Sequence, residues 1–226
     1  MKTTRTLLAF STFALLTLSI AQQGFAAPTP FTDLANVSGK DKILALQQMG
    51  ALRGVEDNQF MPDATITAAQ GIQLIVNALE LNLDRIRFIK QPQATDYFAK
   101  VDNNGWYANA LIIAAHNGFD LPADLEPNQL WTKEEFIHQL MLALEQHNNL
   151  PKIKIAPAEF GDMDELTPSY QGSIQRAIVL GIAKLDADKN LHPKDGITRK
   201  EAAEIIYNAL AFIKALPDQQ EGTSVQ

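Results

Sequence analysis

The chain has 226 residues, of which 46% are hydrophobic and 20% charged, so it carries enough apolar material for a packed core. It contains no cysteine, which excludes a disulfide framework, a thiol nucleophile and thiolate metal sites. A net charge of −7 without a basic run excludes a nucleic-acid surface and electrostatic adhesion to anionic lipid, so an anionic ligand would need a local basic pocket.

The N-terminus reads as an address. Lys2 and Arg5 give a positive start, Leu7 to Ala21 is apolar, and Gly24-Phe25-Ala26 supplies small residues three and one positions before a cut. This is the order of a secretory signal peptide over residues 1–26. The apolar stretch of 15 residues is short for a membrane span, which needs about 20. The expected mature chain begins near residue 27, outside the cytoplasm, and is two charges more acidic once Lys2 and Arg5 are removed.

Three later stretches read alike. Each carries Thr-x-x-Gln/Glu ahead of an amphipathic run: Thr67 with Gln70, Thr132 with Glu135, Thr198 with Glu201. In such a capping box the hydroxyl accepts from a first-turn amide and the Gln or Glu reaches back to the Thr N–H. The three starts are 65 and 66 residues apart, and Pro62, Pro127 and Pro193 each stand five residues before the Thr. Gly50, Gly118 and Gly181 close an earlier apolar run in each copy, as helix C-terminal caps do.

The pattern predicts three helix–loop–helix units. First helices are expected over Lys40–Met49, Trp106–Asn117 and Tyr170–Leu180, preceded by Phe31, Phe98 and Phe160. Second helices are expected over Thr67–Leu81, Thr132–Gln146 and Thr198–Lys214; in the last, Ala202, Ile205, Ile206, Ala209 and Ile213 form one stripe. The fold class is all-α, with a short extended pairing allowed in the glycine-to-proline loops. The units span residues 31–83, 97–147 and 159–214, with a polar, disordered tail over 215–226. A helix pair buries one face alone, so the copies are expected to share a core.

No catalytic set emerges. The four histidines lack metal-ligand spacing, and no Gly-x-Ser-x-Gly elbow or glycine-rich phosphate loop occurs. Asp186-Ala187-Asp188 begins like a calcium loop, but Leu191 and Ile197 stand where Gly and Glu are required. Asp162, Asp164 and Glu165 read as charge preceding a helix. The chain is expected to be non-enzymatic, without metal or cofactor.

The order Phe31-Thr32-Asp33-Leu34, Met49-Gly50, Phe60-Met61-Pro62, Ile66-Thr67 in copy one resembles the S-layer homology (SLH) module. So do Val101-Asp102, Trp106-Tyr107, Gly118 and Trp131-Thr132-Lys133-Glu134-Glu135 in copy two. Copy three matches at Phe160-Gly161-Asp162-Met163, Gly181-Ile182 and Ile197-Thr198-Arg199-Lys200-Glu201. The resemblance implies a three-lobed helical bundle and binding of an anionic, pyruvylated secondary cell-wall polysaccharide. It points to Trp106, and to the residue after each capping Thr: Arg199, Lys133 and, in copy one, Ala68. Tyr170 is read as a weak aromatic substitute for Trp106 in copy three. Arg offers a planar fork to a carboxylate, Lys a point charge and Ala neither. Trp106, Lys133 and Arg199 are therefore the candidate polysaccharide-binding residues, and the expected location is the cell wall or surface. The loss of Arg in copy one and of Trp in two copies motivates the alternative, a degenerate array making contacts with envelope proteins.

Overall fold

The computed structural model describes residues 29–55, 58–148, 150 and 156–216. The leader, most of the linker around Pro151 and nearly all of the tail lie outside them. Among the described residues the fold is helical, with isolated β-bridges and no strand. It comprises α1 (Lys40–Gln48), α2 (Ala68–Ala78), α3 (Ala108–Ala115), α4 (Lys133–His147), α5 (Gln171–Val179) and α6 (Arg199–Ala215). Two short 3-10 turns, Ala94–Asp96 and Met163–Glu165, lead into the second and third copies.

The helix starts follow from the capping boxes. Thr67, Thr132 and Thr198 are extended N-caps, each accepting from the amide three residues on, while Gln70, Glu135 and Glu201 return a bond to the cap amide. The stops are set by backbone chirality. Gly50, Gly118 and Gly181 adopt φ of 76, 85 and 70°, a region that costs any Cβ-bearing residue energy. The Gly50 amide donates to Gln47 and the Ala51 amide to Leu46, satisfying the last carbonyls of α1. First helices are shorter than the apolar pattern suggests because Tyr107 and Tyr170 are themselves N-caps, with no side-chain cap, so α3 and α5 begin one residue after them. In the second copy and the third, the second helix runs one residue past the expected end, to His147 and Ala215. By contrast α2 stops at Ala78, with Glu80 turning the chain at φ 52°.

Among the described residues extended pairing occurs between proline and capping Thr, with no bridge in the glycine-to-proline loops. Ile66 N–H donates to Ile197 O (3.0 Å), Ile197 N–H to Trp131 O (3.0 Å) and Trp131 N–H to Ile66 O (3.1 Å), closing a ring of three bonds. Around it run isolated bridges at Thr65 with Thr198, Thr67 with Leu130 and Thr132 with Gly196. The first two amides of each second helix, which no intrahelical carbonyl can reach, are met by another copy. Ala68 and Ala69 donate to Gln129 O and Pro127 O, Lys133 and Glu134 to Asp195 O and Pro193 O, and Arg199 and Lys200 to Ala64 O and Pro62 O. The three prolines thus serve as acceptors at a position where no N–H is needed.

Helix packing crosses the copies. α2 lies on α3, α4 on α5, and α6 returns to α1. The second helix of each copy is covered by the first helix of the next. The central core is closed by Ile66, Trp131, Ile197, Phe136 and Ile72, all buried. We expect Thr198→Ala to cost about 1 kcal/mol, read as a fall in melting temperature of roughly 2–4 °C, because it frees the Glu201 amide held at 3.2 Å.

Candidate functional site

Each glycine-to-proline loop is pinned to its own copy's aromatic start. Asp33 accepts from the Phe60 amide (2.9 Å) and the Met61 amide (2.7 Å). Asp162 does the same for Leu191 and His192. In copy two the equivalent residue is Lys100, two after Phe98, and not Asp102 as the sequence match suggests; Lys100 Nζ binds Glu126 at 2.6 Å, so the polarity is reversed and a side chain replaces the amides. Asp102 instead accepts locally from the Asn104 amide.

Burial alone would raise the Asp33 carboxyl pKa, but the Phe60 and Met61 amides and the Arg199 charge outweigh it and hold the group below its usual range. A depressed folded pKa means that the stabilisation is full above the unfolded value of about 4 and is lost as pH falls through the folded value. We expect Asp33→Asn to lower stability by about 1–2 kcal/mol at neutral pH. The gap between variant and wild type in thermal melts should close on acidification, as pH drops below the unfolded value of about 4 and through the lower folded one.

Behind this loop the Arg199 side chain crosses from copy three into copy one. Its Nε donates to Phe60 O at 2.6 Å, its Nη2 to Arg53 O at 3.1 Å, and its guanidinium lies 4.9 Å from the centroid of the Phe60 ring. Burial pulls its pKa down and the Asp33 charge opposes this; a guanidinium stays charged even so. Phe60 is fully buried and tilts against Phe31 at 5.3 Å.

Arg199 forms the floor of an open cleft of about 410 Å3. One wall is the 51–55 loop; the other is the α2 face carrying Gln70, Gln73 and Asn77. Trp106, 61% exposed, stands on the rim from copy two, braced edge-on by Tyr107 at 5.5 Å. The structure thus brings together Trp106 and Arg199, two of the three sequence candidates. Among the described residues the lining holds two arginines and no carboxylate. Its planar aromatic rim, amide side chains and guanidinium groups are the equipment for stacking on and hydrogen bonding to an acidic sugar.

Lys133, the third candidate, lies elsewhere. It is 14% exposed, pairs with Glu201 at 2.9 Å, and lines a separate cleft of about 240 Å3 against α6. Burial alone would raise the Glu201 pKa, but the Thr198 amide and Lys133 hold it low. Tyr170 does not stand in for Trp106. It occupies the N-cap place of Tyr107, which leaves exposed Ser169 at the tryptophan position. Its ring stacks on buried His138 at 4.2 Å. Arg53, Gln70, Gln73 and Asn77 were not identified from the sequence. For the three α2 residues the signal is their spacing of three, six and ten positions from Thr67, along one helix face.

No described helix is long and apolar enough to cross a membrane. Residues 30–70 and 159–203 match the model of the S-layer homology domain; the middle copy lies outside both segments. The chain is 30% identical over 183 residues to exoglucanase XynX of Acetivibrio thermocellus, covering 80% of this chain and 16% of that protein. It is 30% identical to an amylopullulanase of Thermoanaerobacterium thermosulfurigenes over the same share of this chain and 9% of the relative. It is 26% identical over 219 residues to a surface-layer 125 kDa protein of Lysinibacillus sphaericus, covering 92% of this chain and 17% of the relative. The chain therefore spans less than a fifth of the length of each.

Proposed function

With residues 30–70 and 159–203 belonging to the S-layer homology domain family, we propose that this chain is a non-catalytic, exported cell-surface module that docks on anionic secondary polysaccharide of the cell wall. We read it as three tandem modules, residues 31–83, 97–147 and 159–214, joined as a three-lobed bundle. The cyclic exchange of backbone bonds among the three capping segments supports that arrangement. The alignment with a surface-layer protein over 92% of the chain supports the location.

The observation that carries the binding reading is the cleft where Trp106 stands exposed beside Arg53 and Arg199, with no acid among the described residues of its lining. In a chain of net charge −7, a pocket whose described lining carries two guanidinium groups and no carboxylate is a local exception, and it fits a sugar bearing a carboxylate such as a pyruvyl group. Co-sedimentation with bacterial sacculi tests it. Pelleting that disappears once the secondary polysaccharide is chemically stripped is the expected result. Equal recovery in the supernatant with intact and stripped sacculi sinks the reading. It would favour contact with envelope proteins, for which Met49, Met61, Ile89, Leu130 and Val179 are among the exposed apolar side chains.

A further inference from the structure

Resting on the reading of the cleft as an anion site, we propose that only one of the three equivalent clefts binds the acidic sugar, and that Arg53 is the cation that meets it. The three second helices present the same stations to three clefts, so their residues compare position by position. The α2 cleft offers Arg53, Arg199, Gln70, Gln73, Asn77 and Trp106. The α6 cleft has Lys184 at the place of Arg53 and Lys133 at the place of Arg199, but Glu201 and Glu204 replace the two glutamines. Lys133 is held by Glu201, and Asp186 adds a further carboxylate beside His192 at 2.8 Å. A polyanion meets no net positive charge there.

The α4 cleft has neither cation. Leu121 stands at the place of Arg53 and Ala68 at the place of Arg199. Its space is taken by the protein itself. His138, at the Gln73 station, stacks on Tyr170 and bonds Ser173 at 2.9 Å. Gln139 is locked to the backbone of Asp120 by two bonds, at 2.8 and 2.9 Å.

Within the α2 cleft the two arginines divide the work. The hydrogen bonds of Arg199 to Phe60 O and Arg53 O and its place over the Phe60 ring fix the loop that forms the wall. Arg199 is therefore a positioning residue. The Arg53 side chain is exposed and, among the described residues, enters no ion pair, so its planar fork is free for a carboxylate.

The test is calorimetric titration of the full chain with size-fractionated secondary polysaccharide released from sacculi, before and after mild acid removal of ketal-linked pyruvate. One site per chain is expected. Arg53→Gln should weaken binding of the untreated fragment about tenfold or more with an unchanged melting temperature, while Arg53→Lys recovers part of the loss. Lys133→Gln and Lys184→Gln should change it by no more than about twofold. Arg199→Gln should lower melting temperature and affinity together. Acid-treated fragment should be bound alike by wild type and Arg53→Gln. Two or three equivalent sites, or losses at Lys133 and Lys184 matching that at Arg53, overturn the single-cleft assignment and leave the proposed function standing. Absence of any binding by wild type overturns both.

Discussion

Phe136→Ala should destabilise the protein by about 3–5 kcal/mol, lowering the melting temperature by roughly 10 °C. Phe136 is fully buried and packs edge-on against Trp131 at 6.4 Å. Both rings close over Gly71 of α2, where an added Cβ would lie 2.5 Å from the Trp131 ring and 3.4 Å from Phe136. The glycine is there because the indole of copy two must touch the backbone of copy one. Removing the Phe136 ring empties the contact shared by α2, α4 and the bonded ring at Trp131. The surrounding helices cannot collapse into the gap while that ring of backbone bonds holds their starts in place. Calorimetric unfolding of the variant measures the effect, and a loss under 1 kcal/mol would mean that the site relaxes.

Trp106→Ala should do the reverse, leaving the melting temperature within about 1 °C while weakening polysaccharide binding by about 30-fold. With 61% of its surface exposed, the indole contributes little to the core, and its main protein contact is the Tyr107 ring. Its place on the cleft rim opposite the α2 amides makes it the largest apolar surface offered to a sugar ring. Binding isotherms of wild type and variant against the same polysaccharide fragments decide it. Unchanged affinity would remove Trp106 from the site.

Local signals in the sequence translated well into helices. Capping boxes and C-terminal glycines act within one turn of chain, so Thr67, Thr132, Thr198 and the three glycines could be read without knowing the partners they would meet. The site was legible in part. Trp106 and Arg199 are 93 positions apart in the chain, and only the crossing of Arg199 from copy three to copy one places them in a single cleft. The same crossing buries the guanidinium in backbone bonds, which no motif reveals. Lys133 was assigned by analogy of position; its ion pair with Glu201, contributed from another copy, is invisible in a local motif. Copy two misaligned at Asp102 because its pinning residue had changed from acid to lysine and its loop partner from amide to carboxylate. Such paired replacements preserve the contact and erase the motif.

Because α6 packs on α1, the last described helix is seated on the first described one. Lys42 Nζ binds Asn208 at 3.2 Å and lies 5.8 Å over the Tyr207 ring, across 166 positions of sequence. The covalent order of the helices is therefore less important than their cyclic order. A chain cut in a linker and joined at its old ends would meet the same neighbours. By the same logic no copy is a thermodynamic unit: each lends its first helix to one neighbour and borrows one from the other. In the proposed three-module reading the cover that α6 gives α1 arrives only with the end of the chain's third copy.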